Sequence, residues 1–242
     1  DDDQEASPRW LKGFLIAIGV NAEGSREVLG FTVADGESKE GWSSFFEELK
    51  ARGLRDVDLV VSDDHGGLKS AIQEQFHGAS WQRCQTHFSK NVLDKTPKKV
   101  HSEVKTGLND LYNAPDLTAA IERKEHLLDW MREQAPKAAA ILDEGFDDVT
   151  GVFGLPAEYR RRLRTSNSIE RMNEELRRRE RVIRIFPNEE SLIRLMGSVL
   201  MDIHEKWTTG KKYFTMDKYY EERDAAKKKA KEARPKHLHI VS

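Results

Sequence analysis

The sequence predicts a mixed α/β fold with an all-helical segment inserted in it, and three observations carry that prediction. Short apolar runs rich in β-branched or aromatic residues recur over the first hundred residues, at Trp10 to Val20, Arg26 to Val33, Asp56 to Ser62 and Ala79 to Cys84. Between several of them lie stretches with apolar residues at helical spacing, the order that builds layered strand and helix. From about Val100 to Arg160 the period becomes wholly helical.

Each element has its own local reason. Trp10 to Val20 is almost continuously apolar, which implies burial on both faces. Asn21-Ala22-Glu23-Gly24 supplies a turn, so this run and Arg26 to Val33 are expected to pair as an antiparallel hairpin. Glu40 to Arg52 carries Trp42, Phe45, Phe46 and Leu49 at helical spacing and stops at Gly53. Asp56 to Ser62 reads as a buried strand that closes on Asp63, Asp64 and His65. Gly66 and Gly67 then let the chain turn into the helix marked by Leu68, Ile72 and Phe76. Ala79 to Cys84 is a short strand, and Thr86 to Asp94 a further helix.

Leu108, Leu111, Leu117, Ile121, Leu127, Leu128, Trp130 and Met131 mark the helical middle, which Pro115, Pro136 and Pro156 divide into segments. Thr165 to Glu180 is a strongly polar helix that Ser166 or Asn167 can cap. Glu170 then stands in its first turn, Asn173 near the same face, and Arg177 one turn further. Leu192 to Trp207 is amphipathic, and the Lys-rich stretch Ala225 to Ala233 is expected to be a solvated or frayed helix. The organisation implied is a first core part over 1–99, a helical insertion over 100–160, a second core part over 161–210 and a charged helical tail over 211–242.

Hydrophobic residues make up 38% of the chain and charged residues 34%, so the surface is densely charged. The formal net charge of -2 hides an asymmetry: residues 1–60 carry 13 Asp plus Glu against 7 Lys plus Arg, whereas residues 160–184 carry 10 Arg against 4 Glu. A localised basic stripe of this kind is what phosphate binding needs, whatever the overall charge. The single cysteine, Cys84, excludes an internal disulfide and fits a reducing compartment. The acidic start is unlike a signal peptide, and no apolar run approaches the ~20 residues of a membrane span, so a cytoplasmic protein is expected.

Metal-assisted phosphoryl transfer needs carboxylates gathered from separate elements, because Mg²⁺ takes oxygen ligands and keeps open positions for substrate. Asp63 at a strand end and Glu170 on a polar helix are the candidates; the plain alternative for Asp63 is a helix cap, and for either a surface carboxylate. Cys84 and His87 form a C-x-x-H pair with no second pair at suitable spacing, so a structural zinc site is not expected. His65 is either a site neighbour or a solvated turn residue. Arg171, Arg177, Arg178, Arg179, Arg181 and Arg184 surround Glu170, and guanidinium forks match phosphate oxygens. The alternative is an exposed face neutralised by Glu174, Glu175 and Glu180.

Four stretches taken together carry a resemblance: Val60-Val61-Ser62-Asp63-Asp64-His65-Gly66-Gly67-Leu68, Trp81-Gln82-Arg83-Cys84-Gln85-Thr86-His87-Phe88, Arg164-Thr165-Ser166-Asn167-Ser168-Ile169-Glu170-Arg171-Met172-Asn173-Glu174-Glu175 and Arg181-Val182-Ile183-Arg184-Ile185-Phe186-Pro187. From about Phe14 to Trp207 the chain resembles the mutator-type transposases of bacterial insertion sequences. The resemblance implies a ribonuclease-H-like mixed sheet with flanking helices, a DDE triad, and a helical insertion between the second Asp and the Glu. Asp63 matches the second acidic residue, and Glu170, in the Asn-x-x-Glu-Arg-x-Asn pattern, the third.

It further implies Mg²⁺ or Mn²⁺ in a two-metal site held by Asp63 and Glu170. DNA contacts would come from Arg171, Asn173, Arg177, Arg178, Arg179, Arg181 and Arg184, and Asp64, His65, Cys84 and Asn167 would be active-site neighbours. His87 is then placed to contact a scissile phosphate and Cys84 either joins it or is simply buried; the residues alone leave this open. The implied reaction frees a 3′-hydroxyl by water attack at the element's ends and then joins it to target DNA. Its partners are the terminal inverted repeats, target DNA and a second copy of the chain, with no membrane. One departure stands out: the family's first Asp lies on a strand before Trp10 to Val20, for which the sequence from Asp1 has no room, and Asp1, Asp2 and Asp3 sit too close to replace it. The family's N-terminal DNA-binding region is absent too. The rival readings are therefore a catalytically silent DNA-binding or assembly module derived from such a transposase, and a ribonuclease-H-like nuclease outside transposition.

Overall fold

The apolar run after the N-terminus forms β1 (Gly13–Val20), which pairs antiparallel with β2 (Arg26–Ala34). The computed structural model describes residues 13–34, 36–183 and 189–233; Asp1, Asp2, Asp3 and Arg184 lie outside them. The hairpin register shifts between Ala17 and Ile18, where Leu29 is the extra residue of a bulge. α1 (Lys39–Ala51) follows, with the Ser38 hydroxyl accepting from the Gly41 amide at 3.1 Å and with Trp42, Phe45, Phe46 and Leu49 buried. β3 (Leu59–Ser62), α2 (Gly66–Gln75) and β4 (Ser80–Arg83) form a strand–helix–strand unit whose strands pair in parallel, Ser62 opposite Arg83. β3 starts later than its apolar run, at Leu59, where pairing with Ser80 begins; Asp56 takes a φ of 52°, outside the strand region.

α3 (Gln85–Asp94) leaves β4 and leads into the helical part: α4 (His101–Tyr112), α5 (Leu117–Gln134), α6 (Pro136–Gly145) and, after two short 3₁₀ turns, α7 (Ala157–Leu163). Asp116 caps α5 by accepting from the Ala119 amide at 2.8 Å, and Pro136 occupies the first turn of α6. α8 (Asn167–Ile183), α9 (Glu189–Thr208) and α10 (Asp217–Ala233) complete the order. The mixed α/β class predicted from the sequence is present, in two two-stranded sheets among the described residues, within a largely helical molecule.

Three cores result. Leu15 and Ala17 on one face of the hairpin pack with α1, with Leu68, Ala71 and Ile72 of α2, and with Val60 and Trp81 of the parallel strands. Ile16, Phe14 and Ile18 on the opposite face pack with Met172 and Leu176 of α8 and Met196, Val199 and Leu200 of α9. β1 is thus covered on both sides, as its unbroken apolarity implies, and burying each such side chain stabilises by about 1.5–3 kcal/mol. The third core joins Phe88 and Val92 of α3 to Val104, Leu108, Leu111, Leu128, Met131 and Leu142 of the helical part.

Leu117, Ile121 and Trp130 lie on α5, as their helical spacing implies, and are 44%, 43% and 36% exposed, Trp130 lying about 100° around the helix from buried Met131. The tail is not merely solvated. Phe214 is buried edge-on against Tyr159 at 4.9 Å, the Tyr213 and Phe214 amides donate to the Gly24 carbonyl, and Tyr219 Oη donates to Asp58 Oδ2 at 2.5 Å. Aromatic residues ahead of the Lys-rich stretch dock α10 on the hairpin turn and on α7.

Candidate active site

The parallel pair β3–β4 ends where the Cys84 amide donates to the Ser62 carbonyl at 2.6 Å. The C-terminal edge of such a pair is where open α/β folds place their ligands. Asp63 leaves β3 at this edge. The Ser62 hydroxyl, itself accepting from Trp81 Nε1 at 2.9 Å, donates to the Asp63 carbonyl at 2.7 Å and so fixes the turn. The Asp63 carboxylate is half-buried and has no hydrogen bond or ion pair among the described residues. Its neighbour differs: Asp64 Oδ2 lies 2.9 Å from Arg83 Nη1, and Lys69, 3.8 Å from Asp64, also reaches Asp148 at 3.1 Å. His65 is the exposed residue before α2 and makes no side-chain cap.

Across the edge, α3 and the approach to α8 are tied together. The Gln85 amide donates to the Arg164 carbonyl at 2.9 Å, and the Ser166 amide donates to Cys84 Sγ at 3.3 Å. Two buried amides anchor this corner: Gln82 Oε1 accepts from the Val152 amide at 2.9 Å, and Gln85 Nε2 donates to the Val149 carbonyl at 2.9 Å. Ser166 immediately precedes α8, its carbonyl accepting the first helical bond from the Glu170 amide at 3.1 Å. Its hydroxyl donates to Glu170 Oε1 at 3.3 Å. His87, in the first turn of α3, has Nε2 3.7 Å from that same oxygen, both side chains being about two-fifths exposed. Cys84, fully buried, completes a group in which sulfur, ring nitrogen and carboxylate oxygen all lie within 4.8 Å of one another.

β3, which ends just before Asp63, packs in the first core, α3, which bears His87, in the helical core, and α8, which bears Glu170, in the hairpin–α8 core. Met172 and Leu176 hold α8 against β1 and so set the direction in which the first turn presents Glu170. Arg171 of α8 is exposed and Asn173 half-buried. Arg178 forms a two-pronged pair with Glu175 at 2.7 Å for each bond, and Arg179 Nε reaches Glu175 Oε1 at 3.0 Å. Hydrogen bonds from Arg178 and then Arg179 pull the Glu175 carboxyl down to about 2. The neutralised-face alternative therefore holds for one carboxylate, which two guanidinium groups share. The side chains of Asn167, Arg177 and Arg181 lie outside the described residues.

The sequence reading missed a cleft of about 470 Å³ beside this corner, running from Thr86 and Thr165 between α3 and α4 and lined by Lys90, His101, Lys105 and Arg164. Burial, then the charge of Arg161, lowers the Arg164 pKa, and Arg164 Nη1 donates to the Tyr112 carbonyl at 3.2 Å and to Asn113 Oδ1 at 3.0 Å. The packing of α3 on α4, and the tie of Arg164 to Gln85 and Tyr112, bring these cations together.

Against known families, residues 9–210 match the model described as Transposase, Mutator family. The chain belongs to the Mutator family of transposases. This family member is 44% identical over 210 residues to the transposase for insertion sequence element IS256 in transposon Tn4001 of Staphylococcus aureus, covering 86% of this chain and 54% of that protein. It is 41% identical over 203 residues to the transposase for IS1081 of Mycobacterium tuberculosis, covering 84% and 49%, and 38% identical over 230 residues to that for ISRM5 of Rhizobium meliloti, covering 94% and 57%. The Mutator-family chain thus spans about half the length of these relatives. Among its described residues no helix is long and apolar enough to cross a membrane.

Proposed function

We propose that this chain carries the second and third carboxylates of a metal-dependent site that cuts DNA at the ends of an insertion sequence and joins the freed ends to target DNA. The observation that carries the reading is that Cys84 links the two candidate elements, its amide bonded to Ser62 just before Asp63 and its sulfur grouped with Glu170, in a chain of the Mutator family. Asp63 fits a hard cation: its carboxylate is half-buried and has no partner among the described residues, and oxygen donors are what Mg²⁺ and Mn²⁺ take. Glu170 fits as well, being held by Ser166 through one oxygen. A pair of such ions, when bound, activates the attacking oxygen and offsets charge on the leaving oxygen.

The chain's own residues do the rest. Asp63 and Glu170 hold the cations, with a further carboxylate from outside the described residues. His87 donates to a phosphate oxygen beside Glu170. Arg171 and the α8 guanidinium groups take the DNA backbone, as does the basic cleft of Lys90, Lys105 and Arg164. In this reading the chain is the ribonuclease-H-like part of the transposase, and the DNA partners are the element's terminal repeats and the target.

The test is Mn²⁺-dependent cleavage of a duplex bearing the element's terminal repeat by the protein expressed from its whole reading frame. Asp63→Asn and Glu170→Gln are expected to lower the rate by more than about 100-fold, since each removes a metal ligand. Undiminished cleavage in Glu170→Gln overturns the reading.

A further inference from the structure

We infer that Cys84, His87 and Glu170 form a distinct binding site for a thiophilic ion of the Zn²⁺ class, which shares Glu170 with the hard-cation site and competes with it. The sequence offers a single C-x-x-H pair, which alone cannot close a zinc site. The fold adds the third ligand from α8. Sulfur, imidazole nitrogen and carboxylate oxygen come within 4.8 Å, and His87 Nε2 is 3.7 Å from Glu170 Oε1. Two ligands on a tetrahedral ion with bonds of about 2.0–2.3 Å stand roughly 3.3–3.7 Å apart, so small side-chain movements close the trio.

The donor chemistry selects the ion. A thiolate and an imidazole prefer zinc and its neighbours, whereas Mg²⁺ and Mn²⁺ favour oxygen. Three protein ligands leave one position open, unlike a closed structural site with its four.

Two features of the corner support this. His87 Nε2, the ring nitrogen that faces Glu170, makes no hydrogen bond among the described residues and so is open to an ion. The Ser166 amide is aimed at Cys84 Sγ at 3.3 Å, the kind of outer hydrogen bond that metal-bound sulfur keeps. The Cys84 backbone is itself anchored to Ser62, so the sulfur is fixed before any ion arrives. An ion on the trio engages Glu170 and takes it from the hard-cation site. Zinc is then an inhibitor of the DNA reaction, a consequence that rests on the function proposed above.

Cobalt is the probe, because Co²⁺ replaces Zn²⁺ in such sites and a cobalt–thiolate bond absorbs in the near ultraviolet. Titrating the chain with Co²⁺ is expected to give a thiolate-to-cobalt band that saturates at one equivalent, survives excess Mg²⁺ and is abolished by Zn²⁺. Cys84→Ser removes the band, and His87→Gln and Glu170→Gln each weaken cobalt binding at least about tenfold. Far-ultraviolet circular dichroism checks each fold; if the buried Cys84→Ser variant fails to fold, the two half-exposed positions still decide. No band in the folded chain, or one of unchanged affinity in Glu170→Gln and His87→Gln, overturns the site.

The band needs neither DNA nor cleavage. Cobalt binding without DNA cleavage overturns only the phosphoryl-transfer reading, and cleavage without cobalt binding overturns only the trio. For the competition, the Zn²⁺ concentration that halves Mn²⁺-dependent cleavage is expected to rise at least about tenfold in Cys84→Ser, whatever its starting rate. Equal zinc sensitivity overturns the competition.

Discussion

The Ser166 amide donates to the Cys84 sulfur at 3.3 Å while the Ser166 hydroxyl donates to Glu170 Oε1 at the same distance. One residue before α8 therefore holds sulfur and carboxylate in register. Removing the hydroxyl frees the Glu170 carboxylate to turn away from the corner. Ser166→Ala is expected to weaken Mn²⁺ binding by about 10–100-fold, as loss of outer-shell partners does, with the maximal cleavage rate at saturating metal much less affected. A fall in the maximal rate with unchanged metal dependence contradicts this positioning role.

Asp63 and Asp64 are adjacent in the chain but differ in what they touch. Asp64 pairs with Arg83, whose Nε is already buried without a partner, whereas Asp63 has no partner among the described residues. Asp64→Asn is expected to destabilise by about 1 kcal/mol, discounted for a one-third exposed carboxylate, and to lower Tm by roughly 2–4 °C. Asp63→Asn leaves Tm unchanged and removes Mn²⁺ binding. Thermal scans with and without Mn²⁺ separate the two, and the opposite pattern removes Asp63 from the site.

Glu175 neutralises two guanidinium groups at once. Glu175→Gln is expected to release Arg178 and Arg179 for phosphate and to steepen the slope of log affinity for non-specific DNA against log salt by up to about 2, near 0.9 per added contact. Arg178→Ala with Arg179→Ala flattens it. The same contact fixes a pH window: because the folded carboxyl is depressed to about 2 from 4.5, the pairing is present above 4.5 and is lost as pH falls through about 2. An NMR titration of Glu175 checks this, with a midpoint that returns towards 4.5 in the double Arg variant.

Gly24 closes the hairpin at a φ of 86°, and a Cβ there would collide with the Phe214 carbonyl oxygen. Gly53, at a φ of 109°, has open space around its Cβ position. Gly53→Ala is expected to cost about 1 kcal/mol, from backbone strain alone, whereas Gly24→Ala must also push the Phe214 segment off the hairpin turn and costs clearly more. Urea melts of the two variants compare them. Equal losses contradict the docking of this segment.

Much of this is legible in the sequence because it is local. Trp42, Phe45, Phe46 and Leu49 announce a helix within thirteen residues, and the Asp63 strand end and the polar helix bearing Glu170 can both be read from adjacent residues. The meeting of Cys84 with Ser166 and Glu170 is not readable from spacing, because buried Gln82 and Gln85 tie β4 and α3 to residues near 150 that carry no periodic signal. The basic cleft is hidden for the same reason: Lys90, Lys105 and Arg164 are far apart in sequence and come together where α3 meets α4 and Gln85 and Tyr112 tie Arg164 to them. The docking of the tail escapes a sequence reading because the Lys-rich composition of residues 225–233 dominates it, while the contacts are made by Phe214, Tyr219 and Tyr220 just before.

The division of the site among three cores has a dynamic consequence. Contiguous packed units open and close with their own free energies, and here the elements that carry Asp63, His87 and Glu170 pack in three different ones. A ligand spanning Asp63, His87 and Glu170 acts as a clasp, since opening any one unit breaks its contacts. At a concentration 100 times its dissociation constant, such a ligand adds about 2.7 kcal/mol against openings that abolish binding. Amide hydrogen exchange in α1, α4 and α9, none of which bears one of these residues, is then slowed together when the corner is filled, wherever exchange proceeds through those openings.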